Sequence, residues 1–306
     1  MTFSSPNLQS FQEWIQNHTF SPSEFEAFEL CPFRFYAQSF LKISAENPWE
    51  VELTPSEVGQ LMLEILETLL RLNPMTPMDL LIEEKFAEGG WTTKRPGLSP
   101  VLLEFQKKKV ERTLKSFLED RAKEMLQKDS LQPKFFEWSF GKETPPLLLE
   151  GAKNPIKIKG RIDRIDVDEK NKRFLVIDYK TGSTKITGGQ ILAGKSLQLP
   201  IYLLAVQKLL LPDYQPIGAL YYHLSDMSKK DGLLHTERLP ASFDIHPRSS
   251  SLIPPGRWDS FFEETHERIQ NLVAKIRTGI FTSQSEPCTP SCPYQDICRV
   301  RSTCPH

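Results

Sequence analysis

The sequence predicts an α/β protein in which a mixed sheet of four or five strands is flanked by helices and preceded by a helical region. Three observations lead to this class. Residues 156–180 contain two apolar strands joined by a polar turn at 168–172, the pattern of a hairpin buried in a sheet. A strongly apolar helix over about 196–211 follows and is expected to pack on that sheet. Amphipathic helical segments fill most of residues 21–127.

The region before the sheet begins with a capped helix. Ser21, Pro22 and Glu24 form the signature of a helix start, with a capping serine, a proline in the first turn and a glutamate three residues later. Pro32, directly after Cys31, predicts a kink or a restart of that helix. Further helices are predicted over about 54–72, 76–88 and 99–127.

The later elements complete the sheet. They are predicted as strands at 133–140, 216–222 and 233–239 and a final helix over about 258–278. Residues 183–195 and 240–256 are predicted loops, and the first of these flanks the end of the hairpin. Glu137 lies among apolar residues of the strand at 133–140.

Charged residues stand in or at the ends of the two hairpin strands. Asp163 lies in the first strand, Asp178 ends the apolar run of the second, and Lys180 follows two residues later. Residues i and i+2 of a strand share a face, so Asp178 and Lys180 project together. Carboxylates are ligands that Mg²⁺ prefers, and a lysine can stabilise charge that develops on a phosphate. The alternative is a salt-bridged hairpin edge that faces solvent.

Three runs of sequence resemble a known family. They are GRIDRID at 160–166, VIDYKTG at 176–182 and QLPIY at 198–202. Together they resemble the PD-(D/E)XK nuclease superfamily in its RecB/AddB-type exonuclease branch. The resemblance implies a restriction-endonuclease-like core.

The resemblance also implies roles for individual residues. Asp163 and Asp178 would bind Mg²⁺ or Mn²⁺, together with the backbone carbonyl of Tyr179, and Lys180 would be the catalytic lysine. Gln198 and Tyr202, which share a helix face, would support the site or touch DNA. The alternative for this pair is an ordinary surface position at a helix end. Glu137 is an accessory candidate, with an outward-facing edge carboxylate as the alternative.

One position departs from the family. The branch places a histidine on the second helix in a Gly-x-x-x-His pattern followed by Leu-Glu, and the run VGQLMLEILE at 58–67 fits that pattern except that Leu63 replaces the histidine. Leucine cannot bind a metal. Besides an active nuclease, the sequence is therefore compatible with a catalytically weak or silent DNA-binding or scaffold module of a helicase–nuclease complex.

Four of the five cysteines lie near the end of the chain, at positions 288, 292, 298 and 304, and the fifth is Cys31. Clustered thiolates outside a secreted protein indicate a soft-metal site, either zinc or an iron–sulfur cluster. The resemblance implies a [4Fe–4S] cluster bound by Cys31, Cys288, Cys292 and Cys298, with zinc as the alternative. Such a cluster would have a structural role, joining the N-terminal helices to the C-terminal segment.

Composition bounds the remaining choices. The net charge of −1 and the pI of about 6.6 argue against binding nucleic acid through bulk charge. No apolar run reaches the ~18 residues needed to cross a bilayer, and the first ten residues lack the pattern of a secretory signal. These observations predict a cytoplasmic protein with no membrane partner.

The resemblance completes the functional hypothesis. It implies a metal-dependent deoxyribonuclease that hydrolyses DNA phosphodiesters in recombination or repair. The implied partners are DNA, single-stranded or with frayed ends, and a helicase subunit. We expect a helical region over residues 1–130, a nuclease core over 131–280 and a cysteine-bearing segment over 281–306.

Overall fold

A computed structural model describes residues 5–43, 51–71, 77–91, 97–126, 131–151, 154–182, 185–240, 243, 245–282, 292–294 and 297–298. Its helices are α1 (Ser5–Asn17), α2 (Pro22–Leu30), α3 (Pro32–Phe35), α4 (Pro55–Arg71), α5 (Met78–Glu88), α6 (Pro100–Leu126), α7 (Gly188–Leu192), α8 (Gln198–Ala205) and α9 (Pro255–Arg277). Wider π-helical turns extend α3 over Tyr36–Phe40 and α8 over Val206–Leu210. None of the helices in the described ranges is long and apolar enough to span a membrane.

The strands form two sheets. They are β1 (Thr19–Phe20), β2 (Gln132–Phe140), β3 (Leu147–Leu149), β4 (Ile156–Ile158), β5 (Gly160–Asp168), β6 (Arg173–Lys180), β7 (Gln215–His223), β8 (Ser228–His235) and β9 (Leu252–Ile253). The main sheet has the order β2-β5-β6-β7-β8-β9, in which β6 pairs with β7 and β8 with β9 in parallel, and the other pairs are antiparallel. A smaller sheet has the order β1-β4-β3.

The predicted α/β class with a mixed sheet is confirmed, and two details differ from the prediction. The main sheet gains a sixth strand, β9, which is only two residues long. The apolar residues at 156–158 belong to β4 in the smaller sheet, where β1 pairs beside them and Lys159 donates its amide to the carbonyl of Phe20 at 2.7 Å. The hairpin of the main sheet therefore begins at Gly160.

Each face of the main sheet has its own apolar core. One core joins the sheet to α8, α9 and the N-terminal helices, and its strand residues include Ile165, Val176, Ala219 and Leu233. The other joins the sheet to α4, α5 and α6, and its strand residues include Leu175, Ile177, Leu220 and Leu234. The alternation of Leu175, Val176 and Ile177 between the two cores follows from the period of two in a strand. β6 is thus buried on both faces, as its continuous apolar run predicts.

Helix α2 begins and ends as the sequence predicts. The carboxylate of Glu24 accepts a hydrogen bond of 2.8 Å from the amide of Ser21, so the first turn is capped from within. Cys31 is extended, with φ −164 and ψ 115, and Pro32 starts α3 directly after it. The proline lacks an amide hydrogen and clashes with a continuing helix, which explains the break.

Candidate active site at the strand ends

The two candidate metal-binding carboxylates lie on neighbouring strands. The β5–β6 ladder runs as far as the pair Arg164–Ile177, and its continuation by one residue sets Asp163 opposite Asp178. The amide of Tyr179 donates a hydrogen bond of 2.8 Å to Oδ2 of Asp163. Asp163 is therefore held against the end of β6 by the backbone itself.

Lys180 joins this pair through two contacts. Its Nζ lies 2.7 Å from Oδ2 of Asp178 and donates a hydrogen bond of 2.9 Å to Oε1 of Gln198. The amide nitrogen of Gln198 in turn donates a hydrogen bond of 2.7 Å to Oδ1 of Asp178. Gln198, the first residue of α8, thus bonds both the acid and the base, and the three side chains form a closed ring of contacts.

Tyr202 and Gly160 fit together behind this ring. The phenol of Tyr202, one turn after Gln198 on α8, lies 3.3 Å from the Gln198 amide nitrogen. A Cβ at position 160 would lie 2.9 Å from the Tyr202 ring and 2.8 Å from the Phe140 ring. Such a Cβ would force the rings apart, so glycine opens β5 because the Tyr202 ring occupies the space of a side chain.

The buried carboxylates are unfavourable without a counter-charge. Burial raises the pKa of Asp163 well above its usual range, and the neighbouring Asp178 adds to the shift. Burial also raises the pKa of Asp178, although Lys180 and His223 oppose that shift. Two nearby acids in a poorly solvated site cannot both ionise cheaply. These oxygen donors fit a hard divalent cation, which would relieve that cost. Among the described residues, no cluster of three or more His, Cys, Asp or Glu side chains forms a metal site.

Glu137 lies opposite Asp163 on the neighbouring strand. It falls between the pairs Phe136–Arg164 and Trp138–Ile162 and has a left-handed backbone with φ +50. Its carboxylate is ion-paired with Nε of Arg161 at 2.8 Å. Burial raises the pKa of Glu137, Arg161 opposes the shift, and the negative charges of Glu67 and Glu64 add to it. The accessory candidate is therefore beside the site, with its charge matched by an arginine.

Helix α4 covers the opposite side of the strand ends. Residues four apart share a helix face, so Gly59, Leu63 and Glu67 face the same way. A Cβ at Gly59 would lie 2.8 Å from Oγ1 of Thr181, next to Lys180, and Glu67 acts electrostatically on Glu137. Leu63 lies between these two contacts, partly buried against the apolar core of this face. The position of the family histidine thus faces the site and bears an apolar side chain.

Sequence reasoning missed two residues of β7 that border the site. Lys180 Nζ lies 4.8 Å from the centre of the Tyr221 ring, a cation–π contact. His223 pairs with Lys180 across the strands, is buried, and has its Nε2 3.3 Å from Oδ2 of Asp231. Burial lowers the pKa of His223. Parallel pairing of β6 and β7 brings both side chains to Lys180, and no local pattern in the sequence marks that pairing.

Residues 189–196 spell Gly-x-x-x-x-Gly-Lys-Ser, the pattern of a phosphate-binding P-loop. The conformation is different from that of a P-loop. The segment opens inside helix α7, and the amides of Ala193, Gly194 and Lys195 donate to carbonyls of that helix. A P-loop needs such amides to surround a phosphate. Since they are already bonded, this match does not form a nucleotide site.

Three of the candidate cluster cysteines meet in one place. Cys31, Cys292 and Cys298 all pack against a small buried group of Phe33, Ala37 and Tyr294. The fold therefore brings the start and the end of the chain together at these thiols. Cys288 and Cys304 lie outside the described residues.

Comparison with known proteins gives consistent matches. The family model for the PD-(D/E)XK nuclease superfamily matches residues 19–299. Relatives named as one of the subunits of an ATP-dependent helicase/deoxyribonuclease include the protein from Moorella thermoacetica, 29% identical over 66% of this chain and 19% of the relative. The proteins from Carboxydothermus hydrogenoformans and Listeria monocytogenes serotype 4a are 27% and 29% identical over 71% and 67% of this chain. The chain spans about a fifth of the length of these relatives.

Proposed function

The chain belongs to the PD-(D/E)XK nuclease superfamily, and from this premise we propose that it is a metal-dependent deoxyribonuclease. It hydrolyses phosphodiester bonds in DNA recombination or repair, as an exonuclease of the RecB/AddB type. The observation that carries the proposal is the ring of contacts at the strand ends. Lys180 is bonded to Asp178 and Gln198, and Asp163 is fixed beside them by the Tyr179 amide.

The donor set of the site suits Mg²⁺ or Mn²⁺. Asp163, Asp178 and the backbone carbonyl of Tyr179 would hold the ion, because all three offer hard oxygen ligands. When bound, the cation supplies positive charge that polarises the phosphodiester and promotes ionisation of water. The raised pKa values of the two aspartates support this assignment, since a buried acid pair gains most from such a charge.

The protein's own side chains then orient the reaction. Lys180 is about one-third exposed, so its ammonium can reach a phosphate oxygen and stabilise the negative charge that develops there. Gln198 holds the lysine and Asp178 at fixed positions, and Tyr202 supports Gln198 from the next turn of α8. A bonded lysine needs little reorganisation when the substrate arrives, which favours catalysis.

The substrate and partner follow from the names of the relatives. Those proteins are named as parts of a helicase/deoxyribonuclease, so we propose single-stranded or frayed DNA as the substrate and a helicase subunit as a partner. Residues 131–280 would form the nuclease core, residues 1–130 the helical region and residues 281–306 the cysteine-bearing segment.

A comparison of two lysine variants tests the proposal. Purified wild type, Lys180→Ala and Lys172→Ala are incubated with end-labelled single-stranded DNA and Mg²⁺ or Mn²⁺. Lys172 is an exposed lysine at the other end of the same hairpin, bonded to Tyr214, and serves as the matched control. We expect Lys180→Ala to lose at least about 100-fold in cleavage rate and Lys172→Ala to retain the wild-type rate. Equal background cleavage in all three proteins would reject the nuclease.

Leu63 supports a second candidate function. A leucine where the family has a histidine leaves the α4 side of the site without that nitrogen ligand, as expected for a catalytically silent DNA-binding or scaffold module. The silent module predicts binding of the same labelled DNA, measured by fluorescence anisotropy, together with no cleavage above the Lys180→Ala background. Cleavage that depends on Lys180 rejects it.

The cysteines form a separate part of the proposal. We propose that Cys31, Cys292 and Cys298, together with Cys288, bind a structural [4Fe–4S] cluster. The meeting of three of these thiols at one buried group supports it, because soft thiolates suit iron–sulfur clusters and zinc alike. Protein purified without oxygen should contain about four iron atoms per chain and absorb visible light. One zinc and no iron would favour the alternative.

A further inference from the structure

A carboxylate from the N-terminal helix α2 reaches the start of α8. Oε1 of Glu26 accepts a hydrogen bond of 2.7 Å from the hydroxyl of Ser196 and one of 3.3 Å from the amide of Leu197. Gln198, which bonds Lys180 and Asp178, is the next residue. Glu26 is thus one residue away from the side chain that organises the candidate site, although it lies far from it in sequence.

The position of Glu26 has a physical basis. The first amides of a helix have no partner within the helix, and they carry a partial positive charge that favours an anion. Leu197 is the residue that directly precedes α8, and the Glu26 carboxylate supplies that anion. Its contact with the Leu197 amide fixes where α8 starts, and therefore where Gln198 stands relative to the strand ends.

The second branch of the network also leads to Lys180. The Ser196 hydroxyl lies 3.0 Å from the phenol oxygen of Tyr221, and the Tyr221 ring lies 4.8 Å from Nζ of Lys180. Glu26 therefore supports both neighbours of the lysine: Gln198 through the helix start and Tyr221 through Ser196.

We propose that Glu26 is a positioning residue, which holds the start of α8 and so keeps Gln198 and Lys180 in their places at the strand ends. The inference rests on the proposed nuclease function for its catalytic consequence, and on geometry alone for its structural one. Glu26 acts through its hydrogen bonds, and touches neither substrate nor metal.

The energetics of Glu26 agree with a functional role. Burial raises the pKa of Glu26, and the bonds from Ser196 and Leu197 oppose that shift without cancelling it. A carboxyl group whose pKa is raised on folding stabilises the protein only at low pH, and that contribution is lost as the pH rises through the raised value. At neutral pH the charge on Glu26 therefore lowers stability, so a role in stability alone does not explain its presence.

The test uses three variants of the full chain. Glu26→Ala removes both hydrogen bonds, whereas Glu26→Gln keeps an oxygen that can accept them and removes the charge. Glu29→Ala is the matched control, because Glu29 lies on the same helix and pairs with Arg268 of α9 at 2.6 Å, away from the strand ends. Hydrogen exchange of residues 196–202, followed by mass spectrometry, and cleavage of single-stranded DNA are measured for each protein.

We expect faster exchange at residues 196–202 in Glu26→Ala, and wild-type exchange there in Glu26→Gln and Glu29→Ala. Glu26→Ala should lower kcat by ~10- to 100-fold through loss of orientation, with KM changed by less than about twofold because no DNA contact is lost. Glu26→Gln should recover most of the kcat, and its unfolding temperature at neutral pH should be no lower than that of the wild type.

The outcomes separate this inference from the proposed function. Wild-type exchange at residues 196–202 in Glu26→Ala would overturn the positioning role, whether or not the protein cleaves DNA. A loss of kcat in Glu26→Gln as large as in Glu26→Ala would overturn it as well, because the charge would then matter instead of the bonds. If wild type and Lys180→Ala are equally inactive, the nuclease proposal fails, while the exchange result still decides the role of Glu26.

Discussion

The two sides of the strand ends are organised differently. On the α8 side, Gln198 bonds Asp178 and Lys180, and Glu26 and Ser196 hold the start of that helix. On the α4 side, the helix offers Leu63 between Gly59 and Glu67, and its nearest charges act on Glu137. One side is a network of fixed polar contacts, and the other is an apolar cover with acids at its end.

This difference indicates a division of roles under the proposed function. Preorganised polar contacts lower the cost of orienting catalytic groups, so the α8 side should set the rate of the chemical step. The number and type of ligands around a cation set its affinity, so the α4 side, which lacks a nitrogen ligand at position 63, should set how much metal the protein needs. Variants on the two sides are therefore expected to change different parameters.

The largest effect is expected from Asp178→Asn. The substitution keeps the shape of the side chain and removes a charged ligand and the partner of Lys180, so cleavage should fall by on the order of 10³-fold. The same variant should stabilise the metal-free protein. Burial raises the pKa of Asp178, so its ionised form lowers stability as the pH rises through that value. The unfolding temperature at neutral pH should increase by about 2 °C or more.

Calorimetry of the metal-free and Mg²⁺-loaded proteins checks this prediction. Mg²⁺ should raise the unfolding temperature of the wild type, because a bound ligand stabilises the folded state, and should have little effect on Asp178→Asn. Asp213→Asn changes an exposed aspartate in the turn before β7 and is the control. A metal-free Asp178→Asn protein that is less stable than the wild type would contradict the proposed strain between the two buried acids.

The fold was predictable where its signal is local. The apolar run at 174–177 predicts a strand buried on both faces, and Leu175 and Val176 do belong to opposite cores. The separation of β4 from β5 was not predictable, because Ile156 and Ile158 alternate as well as Ile162 does. Pairing with β1 decides the sheet to which each strand belongs, and that contact joins residues more than a hundred positions apart.

The candidate site divides in the same way. Asp163, Asp178 and Lys180 lie within one hairpin, so the sequence could bring them together, and the structure does. Glu26 joins them through a contact with Ser196 across 170 residues, and it looks in sequence like any glutamate on a helix. The left-handed backbone of Glu137 was equally hidden, because that conformation depends on the neighbouring strand.

A smaller loss is expected from Gln198→Ala, on the α8 side. The substitution removes the amide that holds Lys180 and Asp178, while the ion pair between those two residues remains. We expect kcat to fall by ~10- to 100-fold and the concentration of Mg²⁺ at half-maximal activity to stay within about twofold, because Gln198 is not a proposed ligand. Gln207→Ala, an exposed position on the π-helical extension of α8, is the control. A large change in the Mg²⁺ requirement would contradict the division of roles between the two sides.

The smallest effect is expected on the α4 side, from Leu63→His. Position 63 faces the strand ends between the contacts of Gly59 and Glu67, so an imidazole there could offer a nitrogen ligand. The concentration of Mn²⁺ at half-maximal cleavage should fall by several-fold, by an energy of about 1 kcal/mol, with kcat changed little. Leu63→Gln introduces a polar side chain without an imidazole and is the matched control. If both variants need the same Mn²⁺ concentration as the wild type, α4 takes no part in binding the ion, and the difference between the two sides concerns packing alone.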